Sequence, residues 1–152
     1  SQPRDHTKYR PISLTNTWLK LIDRQCHRQL QDHATQANVF SDEQAGFSPG
    51  RSVADHTFIV EQMAAIYKVL PIPLYAALID RQKTFYSIRL AHLIELLRKH
   101  KFSADTINLV KLLYKNETSA LLLNRNRSDN WQVNKGLRQG ASSSPLLFNL
   151  CQ

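Results

Sequence analysis

At 152 residues, with 42% hydrophobic residues and only 4 glycines, the chain is long and apolar enough for one domain with a real core, and is no disordered segment. Twenty Lys and Arg against twelve Asp and Glu give a formal charge of +8 and an isoelectric point near 9.8. That imbalance favours polyanionic partners, nucleic acid the commonest, although a basic surface alone also suits a protein with no such partner. The two cysteines, Cys26 and Cys151, have no paired spacing, and the six histidines are scattered. Both facts argue against a disulfide framework or a zinc site and for a reducing intracellular setting, nucleus or cytoplasm, not secretion. No apolar run reaches membrane-spanning length, and no signal peptide is visible.

In chain order, residues 1–10 are polar and basic without periodicity, and Pro11 to Leu14 fit a short edge strand. A helix is expected from Asn16, with Trp18, Leu21, Ile22, Cys26 and Leu30 on its apolar stripe. Arg24, His27, Arg28 and Gln31 fall on its other faces. Residues 34–50 read as loop, and Ser52 as the cap of a second helix with Phe58, Ile59, Met63, Ile66, Tyr67 and Leu70 inward. Pro71 and Pro73 stop that helix. The apolar run Leu74 to Ile79 then reads as a buried strand ending in Asp80. Such a carboxylate, where a core strand meets the surface, either holds a metal ion over a reacting group or caps the next helix.

Ser87 is expected to cap a third helix with Leu90, Leu93, Ile94 and Leu97 inward, ending in the basic cluster Arg98 to Lys101. Ser103 caps a fourth, with Ile107, Val110, Leu113 and Tyr114 inward. Ala120 to Asn124 and Trp131 to Val133 read as strands of a hairpin whose loop is NRNRSDN. GLRQG at 136–140 precedes a last helix opened by Pro145. The expected class is α+β, with helices packed on a small, largely antiparallel sheet in one unit. Without an initiator Met, and stopping inside an apolar pattern, the chain reads as cut at both ends.

Four segments carry a resemblance: RPISL at 10–14, QAGFSPGRSVADH at 44–56, LYAALIDRQKTF at 74–85 and GLRQGASSSPLLFNL at 136–150. In order and spacing they resemble the reverse transcriptase domain of non-LTR (LINE-type) retrotransposons, over nearly the whole chain. The resemblance implies the fingers and first part of the palm of a right-hand polymerase. Residues 1–73 would be mainly fingers, and 74–152 the first part of the palm with returning fingers segments. It implies RNA-templated DNA synthesis by two-Mg²⁺ phosphoryl transfer, with an RNA template, a DNA primer and deoxynucleotide triphosphates as partners.

By the same resemblance, Asp80 is the first metal-binding carboxylate and the backbone carbonyl of Arg81 a further ligand, since Mg²⁺ takes hard oxygen ligands. Phe85 matches the aromatic gate that fills the space a ribose 2′-hydroxyl needs. Gln139 and Gly140 match the motif along the incoming nucleotide and templating base, where glycine lets the backbone come close and an amide hydrogen-bonds sugar or base. Arg10 matches the fingers arginine that grips the triphosphate with its guanidinium fork, and Arg51 is placed at template phosphate. Read without the resemblance, Phe85 is ordinary core and the arginines are surface charge.

The chain departs from the family's pattern at three places. TFY stands where the family has a phrase like AFD, Arg81 follows the aspartate in place of an aromatic or aliphatic residue, and ASSSP replaces a phrase like CPLSP. No Asp-Asp pair occurs anywhere in the sequence, whereas the family's second catalytic hairpin carries one. The chain alone is therefore expected to be inactive as a polymerase. The competing reading is a non-catalytic nucleic-acid-binding remnant of a decayed element.

Overall fold

Local signals start most of the helices. The Asn16 side-chain oxygen accepts the Leu19 backbone N–H at 2.8 Å and opens α1 (Thr17–Gln36). Ser52 opens α2 (Val53–Val69) with a reciprocal capping box, its hydroxyl accepting at the helix N-terminus while the Asp55 carboxylate accepts the Ser52 N–H at 2.7 Å. A short α3 (Thr84–Ser87) and α4 (Leu90–Lys99) follow, then α5 (Ala104–Tyr114), whose Ser103 hydroxyl accepts the Thr106 N–H. Pro145 lies in the first turn of α6 (Ser144–Asn149). These elements come from a computed structural model that describes residues 11–80 and 84–152.

The core is helix packed on helix. Cys26, Leu30 and Ala34 of α1 meet Leu93, Ile94 and Leu97 of α4, Ile107, Val110 and Leu113 of α5, and Leu146 and Leu147 of α6. Ile88, Phe102 and Leu137 close it from the connecting segments. Among the described residues four two-residue strands lie outside this core: β1 (Thr118–Ser119), β2 (Leu122–Leu123), β3 (Asn126–Arg127) and β4 (Trp131–Gln132). They form one antiparallel ribbon in two pieces, β1 with β4 and β2 with β3. None of their residues is buried. The class is thus mixed helix and antiparallel sheet, but the helices pack on each other and not on the sheet.

Several expectations are corrected. The buried face of α1 runs through Asp23, Cys26, Leu30 and Ala34, while Trp18, Leu21 and Ile22 face solvent. The expected stripe holds at Cys26 and Leu30, and contacts with α5 and α6 bury an arc that also carries Asp23. α2 buries no residue, so its apolar side chains from Phe58 to Leu70 are exposed or half-buried.

Leu74 to Asp80 is not a strand, and it is exposed throughout, with Leu78 at 97% and Ile79 at 87%. A strand needs a neighbouring ladder to take up its N–H and C=O groups, and no described segment supplies one. Pro11 to Leu14 is likewise no strand, though Ser13 makes one backbone hydrogen bond. Ser87 ends α3 by donating to the Thr84 carbonyl at 2.8 Å, and Arg89 stands at the start of α4 without a side-chain cap. The expected NRNRSDN loop contains β3. Its true turn is Asn124-Arg125, both at positive φ (48° and 67°), the two-residue geometry that matches strand twist.

Candidate active site

The segment from Gly136 to Asn149 is where the separated motifs meet. Its glycines permit the approach. Gly136, at φ 103°, lies so close to Tyr86 that a Cβ would stand 3.1 Å from the Tyr86 Cα. The Gly136 N–H donates to the Ile88 carbonyl at 2.7 Å and the Leu137 N–H to the Phe85 carbonyl at 2.8 Å. Gly140, at φ 108°, lies beneath Ser13 and Ile12, and the Ser13 N–H donates to the Gln139 carbonyl at 2.9 Å. A side chain at either position would be strained by the left-handed backbone, and at Gly136 it would also crowd the Tyr86 backbone.

Phe85 and Gln139 therefore sit within one cluster. The Tyr86 hydroxyl donates to Gln139 Oε1 at 2.7 Å, which occupies the amide oxygen and leaves the amide NH₂ to donate. Tyr86 stands where the resembling pattern has an aspartate, and here it orients the neighbouring motif. The Phe85 ring stacks on Phe148 with centroids 4.4 Å apart and planes 9° from parallel, so one face is covered and the ring is half-buried. The loop around Gly46 reaches the same segment: Asn149 Nδ2 donates to the Gly46 carbonyl at 2.7 Å.

Two buried charges that sequence reasoning missed hold this segment in place. Asp23, 5% exposed, accepts from Ser142 N–H at 2.5 Å, Ser143 N–H at 3.3 Å and Ser143 Oγ at 2.5 Å. Arg138 donates through Nε to Glu117 at 2.6 Å and also to the Leu113 carbonyl, with its guanidinium 5.0 Å from the centre of the Tyr114 ring. The Tyr114 hydroxyl pairs with Ser144 Oγ at 3.0 Å, and burial pushes its pKa up. The signal for Asp23 was present: an acidic residue at helical spacing from Cys26 and Leu30 has to find donors if it is buried.

Other expected site residues stand apart. Asp80 is exposed, at the end of the segment from Leu74. Arg51 turns back onto its own loop, donating to the Asp42 carbonyl and lying 3.9 Å from the Asp42 carboxylate. Arg10 and Arg81 lie outside the described residues. Among the described residues no three His, Cys, Asp or Glu side chains come together, so they do not by themselves build a site for the implied Mg²⁺. No described helix is long and apolar enough to cross a membrane.

The family described as "Reverse transcriptase (RNA-dependent DNA polymerase)" matches residues 2–152. Over 145 residues the chain is 27% identical to the "Retrovirus-related Pol polyprotein from type-1 retrotransposable element R2" of Nasonia vitripennis, covering 95% of this chain and 14% of that protein. Over 142 residues it is 23% identical to the "Transposon TX1 uncharacterized 149 kDa protein" of Xenopus laevis, covering 93% of this chain and 11% of that protein. The chain thus spans a small part of the length of each relative. A match across its whole described length, with the motif segments gathered at 136–149, has one conclusion: the chain belongs to the reverse transcriptase family, in its non-LTR retrotransposon branch.

Proposed function

We propose that this chain is the part of a retrotransposon reverse transcriptase that faces the incoming deoxynucleotide, within a protein that copies RNA into DNA. The observation that carries the reading is the meeting of Phe85, Tyr86, Gln139 and Gly140 at one place, from motifs about fifty residues apart, joined by the 2.7 Å hydrogen bond from Tyr86 to Gln139. The Gln139 amide NH₂ is free to donate to an acceptor on a sugar or base, and Gly140 keeps the backbone there bare. Phe85, braced flat on Phe148, is rigid enough to exclude a 2′-hydroxyl sterically.

In this reading the chain forms fingers and the first part of the palm, divided near residue 73, and RNA template, DNA primer and deoxynucleotide triphosphates are the partners. Arg10 grips the triphosphate and Arg51 is freed from Asp42 to reach template phosphate. Asp80 and the Arg81 carbonyl supply hard oxygens to a Mg²⁺ site whose other carboxylates come from outside the described residues. Bound there, the ions would supply charge neutralisation for an in-line displacement at phosphorus. With one carboxylate in place, the 152-residue chain alone has no polymerase activity.

The gate is tested in the element's intact protein by nucleotide selection. Phe85→Val should raise ribonucleotide incorporation relative to deoxynucleotide by about ten-fold or more, a scale set by the weak penalty a smaller pocket imposes on one hydroxyl. Phe85→Tyr should keep the wild-type preference. Equal selectivity in Phe85→Val and wild type would remove Phe85 from the gate.

A further inference from the structure

α1 presents three faces. At about 100° per residue, Asp23, Cys26, Leu30 and Ala34 share an arc of about 80° that enters the core. Lys20, Arg24 and Arg28 share a second arc of about 80°, one helical turn apart, and all three are exposed. Trp18, Leu21 and Ile22 share a third arc of about 100°, with Trp18 77% exposed. Among the described residues neither Lys20, Arg24 nor Arg28 enters an ion pair. Lys20 and Arg24 also line a cleft of about 210 Å³ whose far wall is the turn from Gly140 to Ser142. Asp23 lies in that cleft wall, but its carboxylate is already taken by three donors.

From this arrangement we infer that the outer surface of α1 is a track for single-stranded nucleic acid, leading along the helix to the Gly140 turn. A row of unpaired cations at a pitch of about 6 Å follows a phosphate backbone, and the adjoining apolar row offers Trp18 as a platform for a base. Charge decides the occupant. α2 exposes a larger apolar surface, but its only Lys or Arg is Lys68, and it also carries Asp55 and Glu61. Among the described helices only α1 carries a row of three exposed cations beside an apolar row with an exposed aromatic, Trp18, about 120° round the helix from Arg24. The inference rests on the polymerase reading for its direction, the template strand approaching the Gln139–Gly140 motif, but not for its binding chemistry.

Fluorescence anisotropy of 5′-fluorescein-labelled 12-nucleotide oligo(U) and oligo(dT), titrated with the 152-residue chain, tests it without any catalysis. Wild type should bind both, the RNA and DNA arms showing whether the track discriminates the sugar. Lys20→Gln/Arg24→Gln should weaken binding at least ten-fold and reduce the slope of log affinity against log salt by about 1.4, for two phosphate contacts on a single strand. Trp18→Ala should weaken binding roughly 5- to 100-fold, the range of one base stack, and Trp18→Phe should restore most of it. Arg98→Gln/Lys99→Gln, which removes the same charge from the end of α4, should bind as wild type. Circular dichroism of each variant confirms that these exposed substitutions leave the fold intact. Absent wild-type binding, or equal losses from the α1 and α4 pairs, would overturn the track. So would a Trp18→Ala variant that binds normally but changes oligomeric state, which would assign the face to a protein partner. Any of these leaves the gate experiment on Phe85 standing, and a failed gate leaves the titration standing.

Discussion

Asp23 does most to fix the turn that follows Gln139 and Gly140. Three donors converge on one buried carboxylate, so its removal strands Ser142 N–H, Ser143 N–H and Ser143 Oγ together. Hydrogen bonds to a charged acceptor contribute more than neutral ones, and buried donors left unpaired carry their full desolvation cost. Asp23→Ala should therefore lower the stability of the chain by about 3 kcal/mol in urea unfolding. A loss under about 1 kcal/mol would mean that water replaces the carboxylate at the turn.

The two thiols are the other residue-scale probe. Burial pushes Cys26 up from an ordinary 9.0 to about 12 and Cys151 to about 11, because a desolvated thiolate is disfavoured; the nearby Asp23 charge adds to the effect at Cys26. Raised folded-state values mean that the unfolded chain ionises first as pH rises. The contribution to stability is complete below about pH 9 and is lost as pH climbs toward 11 and 12. The urea midpoint should hold level from pH 7 to 8 and fall above 9, with Cys26 unreactive to thiol reagents at pH 8 in the folded chain. Rapid labelling of Cys26 at pH 8 without unfolding would contradict the burial.

At the scale of elements, the local chemistry of helix starts was legible and tertiary partnership was not. Asn16, Ser52, Ser103 and Pro145 announce helices through groups within four residues, and all four stand where the structure starts a helix. Ser87 carried the same signal and ends a turn instead, since a hydroxyl can bond backward to the Thr84 carbonyl as well as forward. The apolar stripes of α1 and α2 and the run Leu74 to Ile79 were legible as apolar. Which of them finds a surface to pack on depends on segments far away in sequence. The Tyr86–Gln139 bond was equally hidden, because its partners lie 53 residues apart.

A helix with no buried residue lives on its own propensity and caps. Amides of α2 should therefore exchange with solvent orders of magnitude faster than those of α5, and Ser52→Ala should speed α2 exchange further, as loss of about 1 kcal/mol of capping implies, without moving the global unfolding midpoint. Slow, globally protected exchange in α2 would show that something covers it.

For the molecule as a whole, the helical core of α1, α4, α5 and α6 serves to present one surface. It carries the Gly136–Gln139 strip with Phe85 and Tyr86 against it, and the exposed segment that ends in Asp80 nearby in sequence. The exposed apolar side chains of α2 and of Leu74 to Ile79 make the chain aggregation-prone when it stands alone. The net charge of +8 opposes that tendency and suits a polyanionic partner.

Primer extension on an RNA template, with Mg²⁺ and deoxynucleotide triphosphates, puts the whole account to one measurement. The element's intact protein should extend the primer, Asp80→Asn in that protein should reduce extension below detection while template binding persists, and the 152-residue chain should give no product. Undiminished extension by the Asp80→Asn protein, or extension by the 152-residue chain itself, would contradict it.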